Sequence, residues 1–256
     1  MRRLGFLLAL TAPGAVQAQE VGELVRFVSC PIYRDTDAGR KSGCWLADDL
    51  ESGERFDVSE SPYKPDWGLA VLVEGKVAAE EPENCGSKVL NPVRSSRLDI
   101  PCPRHLLPAE SYPGRRFVLP PRNILPLFAE REVPPGPYGP RKFYTFFEFD
   151  NDFIVYQYDD YLLDQAVAWI RAAKPRKLVV TGFAATTPED VSGRLLAERP
   201  EVAQERANAI AVTLRRMLPD LPVEVKWEVG SKPIDTPDAD GIPGQSQRRT
   251  EIDVLF

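Results

Sequence analysis

A single histidine, His105, and four cysteines are all the imidazole and thiol this chain of 256 residues contains. No two of the cysteines are spaced as CxxC, so a structural zinc site has no ligand set to build on. A GxSxG nucleophile elbow is missing as well. The adjacent carboxylates Asp48-Asp49 and Asp159-Asp160 lie in polar stretches and read as solvated surface. His105 opens a proline-rich zone, where it reads as a surface residue rather than a general base. The chain is therefore read as non-enzymatic, with no cofactor and no metal. Excess positive charge is also lacking. Lys and Arg total 32 against 38 Asp and Glu, giving a net charge of -6 and a pI near 5.1. That balance argues against a nucleic-acid backbone binder, which would normally show a basic face. No apolar run is long enough to span a bilayer.

What is present begins with a leader. Met1-Arg2-Arg3 supplies a short positive region, Leu4 to Leu10 an apolar core, and Val16-Gln17-Ala18 a small-residue cleavage site. Residues 1–18 thus read as a signal peptide for an exported protein, with the periplasm as its destination, in association with the cell wall or outer membrane. The cysteines agree with export. Cys30, Cys44, Cys85 and Cys102 are even in number, and an oxidising compartment favours two disulfides. Sequential pairing, Cys30 with Cys44 and Cys85 with Cys102, is the expectation, each bridge contributing roughly 3 kcal/mol by closing a short loop. Four cysteines allow three connectivities.

Three zones follow. Residues 19–104 hold every cysteine and show no helical periodicity; GLAVLVEGKVAA (68–79), interrupted by Gly75, and SRLDI (96–100) are the strand candidates, so a small β-rich domain is expected. Trp45, in the basic loop GRKSGCW (39–45), reads as packed beside a disulfide. Residues 105–140 carry nine prolines from Pro108 to Pro140 and read as a semi-rigid linker. Residues 141–256 carry the sharpest patterns. KFYTFFEFD (142–150) reads as an aromatic strand. Leu162, Leu163, Ala166, Val167, Ile170 and Ala173 form an amphipathic helical stripe that ends before Pro175. KLVVTGF (177–183) is apolar on both faces, a helix runs from Pro200 to Met217, VEVKWEV (223–229) alternates, and QRRTEIDVLF closes the chain as a strand. The order β-α-β-α-β-β predicts an α/β, or α+β, sandwich domain.

The second helix holds an arginine in its apolar stripe. Val202, Ala203, Ala209, Ile210, Leu214 and Met217 share one face, and at about 100° per residue Arg206 lies within roughly 10° of that stripe's centre. A buried, unpaired guanidinium costs several kcal/mol, so Arg206 requires a partner in its own chain or a ligand. It lies in the first two turns of a crossover helix, beside a strand end, where α/β folds commonly bind ligands. A guanidinium there suits bidentate grip on a carboxylate.

Together FFEFD, LVVTG, VAQERANAI and QRRTEIDV resemble the OmpA-like peptidoglycan-binding family, over residues 141–256. The resemblance implies a non-catalytic envelope domain that holds the free carboxylate and amine of diaminopimelate in a peptidoglycan stem peptide. By position it implies ligand contacts for Arg206, Gln247 and Arg248, and for the strand end from Gly182 to Ala185. The sequence departs from the family pattern at several points. The family's Gly-x-Thr-Asp is here Gly182-Phe183-Ala184-Ala185, so alanine stands where aspartate should meet the ammonium. Arg199, Val202 and Ala203 replace the asparagine, leucine and serine of the helix motif, and Gln247 replaces an asparagine. The stretch from Ala185 to Arg206 is also longer than the family's. Three compensations are open: Glu189 or Asp190 folding over the mouth, a carboxylate from the DTPDAD loop (235–240), or a ligand without the ammonium.

Two functions follow. One is a peptidoglycan-binding protein tethered by residues 141–256; the other is an envelope assembly or adaptor protein whose domain has lost wall binding and contacts other envelope proteins. Arg206 separates them. It should face an open pocket in the first case and an internal ion pair or a partner in the second.

Overall fold

The structure, a computed structural model, describes residues 20–37, 43–79, 85–109, 112, 132–154 and 159–256. The leader at 1–18 and most of the proline-rich zone lie outside the described residues.

The N-terminal half is β-rich, as its strand candidates and lack of helical periodicity predict. Its seven strands are β1 (Leu24–Ser29), β2 (Ile32–Arg34), β3 (Cys44–Asp49), β4 (Glu54–Asp57), β5 (Leu69–Val77), β6 (Lys88–Pro101) and β7 (His105–Leu107), in the sheet order β1-β5-β6-β4-β3-β2-β7. The apolar strand β5 pairs antiparallel with β1 on one side and β6 on the other. Val71 and Val73 of β5 pack with Val25, Phe27, Phe56, Val58, Leu90 and Val93 as one core, with Trp45 against its edge. Gly75 does not end the strand but sits within it. SRLDI proves to be the tail of β6, which runs for 14 residues. The polar run Arg94-Ser95-Ser96 hides most of that strand from an apolar pattern. Ser95 is satisfied internally: its amide donates to the Ser61 hydroxyl at 2.9 Å and its own hydroxyl donates to the Tyr63 carbonyl at 2.7 Å.

All four cysteines are bonded, but not sequentially: Cys30 joins Cys102 and Cys44 joins Cys85. The sheet explains the correction. β1 and β6 both flank β5, with Ser29 opposite Val71 and Pro101 opposite Leu69. Cys30 and Cys102 therefore emerge at one end of the sheet, where β5 no longer separates them. Sheet order outweighs the local preference for short loops. With sequence separations of 72 and 41 residues, the loop-entropy contribution rises to about 4 kcal/mol each. The N-terminal sheet also passes the expected boundary at residue 104. β7 pairs in parallel with β2, Ile32 opposite His105, so His105 is an exposed strand residue.

The C-terminal half is a mixed α+β unit. Its order is β8 (Arg141–Phe146), α1 (Asp159–Ala173), β9 (Lys177–Ala184), the hairpin β10 (Glu189–Val191) and β11 (Arg194–Leu196), α2 (Glu201–Met217), β12 (Val223–Val229), a short helix α3 (Pro243–Gln247) and β13 (Arg249–Leu255). The sheet order is β12-β9-β13-β8, with β9 and β12 parallel and β13 antiparallel to both of its neighbours. One sheet face, carrying Leu178, Val180, Ile252 and Val254, buries itself under Leu163, Val167 and Ile170 of α1 and Ala207, Ile210 and Leu214 of α2. Helix α1 ends where the spacing predicts, with Lys174 at φ 51° and Pro175 following. The end of the proline-rich zone is part of this core rather than free linker. Tyr138 meets Trp169 edge-on, ring centres 5.3 Å apart, and Val133 packs nearby.

The two halves pack on one another. The long stretch between Ala185 and Arg206 folds as the β10–β11 hairpin, whose Ser192-Gly193 turn has positive φ at both residues, the geometry that suits a two-residue hairpin loop. Val191 and Leu196 of the hairpin pack with Val28, Ala70, Leu72 and Leu98 of the N-terminal sheet. The Val28 amide donates to the Ser192 hydroxyl at 3.1 Å.

Candidate functional site

Strand β8 stops at Phe146, four residues before the aromatic pattern ends, and the chain bends through Phe147 to Asn151. That bend turns carbonyl oxygens inward, towards Arg206. The arginine lies in the buried stripe of α2 with no exposed surface. Its Nε donates to the carbonyl of Asn151 at 2.8 Å, one terminal nitrogen donates to the carbonyl of Phe183 (2.8 Å) and to Glu198 Oε2 (2.9 Å), and the other donates to the carbonyl of Glu148 (3.0 Å) and to Glu198 Oε1 (2.6 Å). A guanidinium has five N–H donors. All five are spent within the chain.

Glu198 is equally complete. Besides the bidentate arginine, its Oε1 accepts from the Asp150 amide at 2.8 Å and its Oε2 from the Ala185 amide at 2.7 Å. Burial pushes its carboxyl up. The Arg206 charge and hydrogen bonds, helped by Arg248 and the Ala185 N–H, outweigh that effect and hold it below the ordinary carboxylate value. The acidic partner of this site thus comes from the segment between β11 and α2. Glu198 was not among the compensations the sequence suggested. Glu189 pairs instead with Arg26, Asp190 is exposed, and Asp240 of the DTPDAD loop binds Arg94 at 2.6 Å.

Arg248 is held in the same fashion by a different part of the chain. It is 1% exposed, and its guanidinium meets the carboxylate of Glu74, in the middle of β5 and 1% exposed itself. Burial lowers the pKa of Arg248, and the surrounding carboxylates, Glu74 foremost, more than restore it, so the net direction is upward. Glu74 also accepts from Arg26 Nε at 3.0 Å, and Arg26 in turn reaches Glu189 of the hairpin. Charges therefore alternate Glu189, Arg26, Glu74, Arg248 from one half to the other and back. Gly244 leaves the space for this: a Cβ there would strike the Glu74 carboxylate.

The remaining residues implied by the resemblance have structural surroundings. A Cβ on Gly182 would collide with the carbonyl oxygen of Ala203 and lie 2.9 Å from the Ala207 nitrogen, so this glycine lets α2 rest on β9. Ala185 contributes its amide to Glu198. Gln247 is half-buried at the end of α3. Two open crevices among the described residues, of about 300 and 340 Å³, lie at Pro134–Trp169 and at Ile170–Leu221; neither is lined by Arg206 or Arg248. Cys44, Asp57 and Cys85 cluster closely, but the two sulfurs are bonded to each other and leave no thiolate for a metal. No helix of the described residues is long and apolar enough to cross a membrane.

The chain matches no protein-family model and no curated protein. Among solved structures it is similar to the cell wall anchor of the T6SS from Pseudomonas aeruginosa, at 22% identity and a TM-score of 0.32, over 43% of this chain and 73% of that one. Similarity that slight decides neither fold nor function; the geometry of the arginines is the informative observation.

Proposed function

We propose that this chain is a non-enzymatic, exported envelope protein whose C-terminal unit has exchanged a stem-peptide ligand for carboxylates of its own, and which works as an assembly or adaptor protein contacting other envelope proteins. The observation that carries this reading is the saturation of Arg206. A ligand carboxylate would have to displace Glu198, which already offers bidentate geometry, full burial and two backbone amide donors. Displacement would leave the Glu198 carboxylate buried without its counter-ion, at a cost of several kcal/mol. Arg248, the second ligand position implied by the resemblance, is occupied by Glu74 in the same way. Export and the periplasm belong to this proposal through the leader pattern and the paired cysteines.

The test is co-sedimentation of the protein with purified diaminopimelate-type sacculi, beside calorimetric titration with free diaminopimelate. The expected result is that the protein stays in the supernatant and gives no binding heat at millimolar ligand. Pelleting that an Arg206→Lys variant of unchanged circular dichroism loses would return the site to peptidoglycan and overturn the adaptor reading.

A further inference from the structure

Strand β12 is an edge. It pairs with β9 on one side and with no other strand of the described residues. From Lys226 to Val229 every residue is exposed, and Trp227 and Val229 keep 50% and 56% of their surface open to solvent. Alternation puts Val225, Trp227 and Val229 on the helix-bearing side of the sheet and Glu224, Lys226 and Glu228 on the other. A strand edge that is merely protected from aggregation carries charge and avoids large exposed apolar side chains. This one interleaves both, in the order Val-Lys-Trp-Glu-Val.

We propose that β12 pairs antiparallel with β12 of a second copy of this chain, about a two-fold axis through Trp227. In that register Val225 faces Val229 of the second copy, Lys226 faces Glu228, and Trp227 faces its own counterpart. Every facing pair then matches, apolar with apolar on one side of the sheet and opposite charges on the other. The neighbouring registers do not. An axis through Lys226 sets Lys226 against Lys226 and Glu224 against Glu228. An axis through Glu228 sets that carboxylate against itself. An axis through Val225 also sets Lys226 against Glu224, but it uses the less exposed half of the strand and puts Trp227 opposite Val223, whose carbonyl already accepts from Arg215 at 2.9 Å. The charges thus exclude the two adjacent registers, as cross-strand pairs do, and exposure with the engaged Val223 carbonyl decides against the Val225 axis. The product is an isologous dimer with a continuous sheet of eight strands, twice the four of one copy. A contact of one strand on each side is small, so the dimer is reversible rather than obligate.

Sedimentation equilibrium of the full chain over a concentration series tests this. The wild type should follow a monomer–dimer equilibrium. Lys226→Glu should weaken it about tenfold or more, because like charges then face each other twice, and Lys226→Glu with Glu228→Lys in one chain should restore it. Under mild oxidation Trp227→Cys should cross-link to itself, whereas Val229→Cys, at a comparably exposed position, should not. An unchanged melting temperature for Lys226→Glu checks that the fold survives. A wild type that stays monomeric at its highest soluble concentration, a charge swap that restores nothing, or equal cross-linking at 227 and 229 would overturn the proposal.

Discussion

Arg206 and Arg248 make a controlled comparison inside one molecule. Each is an arginine with almost no exposed surface, and each grips a glutamate as fully buried as itself. They differ in where the glutamate comes from. Glu198 is eight residues from its arginine and in the same half of the chain; Glu74 is 174 residues away, in the other half. The first pair completes the inside of one unit, while the second fastens two units together. The same chemistry therefore reports on local integrity in one place and on docking in the other.

The sharpest way to break the comparison is Glu198→Ala. It strands the Arg206 charge within one unit, where water has no ready entry, and should cost about 3–5 kcal/mol, read in denaturant unfolding and in lost amide protection along α2 and β9. Glu74→Ala should cost less, about 2 kcal/mol, because the two halves can part and let water reach Arg248. Its signature is loss of cooperativity: Trp45 and Trp67 in one half and Trp169 and Trp227 in the other should then report separate melts instead of one. Acid should act next. Glu198 has a folded pKa below its ordinary value near 4.5, so its contribution is complete above that value and is lost as pH falls through the lower, folded pKa. Glu198→Gln should flatten the acid limb of the stability curve for the C-terminal half. The smallest effect belongs to Arg199, which pairs with Asp150 and Glu205 at the surface. Arg199→Ala should change stability by roughly 1 kcal/mol or less, and less still in high salt. A large loss there would mean that Arg199, by holding the Asp150 turn, organises the site together with the Arg206–Glu198 pair.

What could be read from the sequence followed from periodicity. The stripe of α2 located Arg206 at its centre, and the structure buries it there. Helix α1, strand β9 and the closing strand β13 were legible for the same reason. The partners were not. Glu198 stands in an irregular segment between an exposed hairpin and a helix start, where no periodicity assigns a direction to a side chain. Glu74 did leave a signal: it is a carboxylate in the middle of the apolar run LAVLVEGKV, and a charge at such a position needs a counter-ion. Nothing in the sequence could say that the counter-ion lies in the last strand's approach. The disulfide pairing failed for a related reason. Short loops favour sequential pairing, whereas β5 lies between the two strands that carry Cys30 and Cys102 to the same end of the sheet. Long-range sheet order is the information a one-dimensional pattern lacks.

The Glu189–Arg26–Glu74–Arg248 chain of charges has a consequence for the proline-rich zone. Two units on a tether search space independently, and the tether's length sets their effective concentration and reach. Here the halves are already fixed to each other by buried charges and by the hairpin core, so the zone from 105 to 140 sets no reach. Any partner that touched both halves would meet one preformed composite surface, because the orientational freedom that two loosely joined units would forfeit on capture has been given up beforehand, in folding.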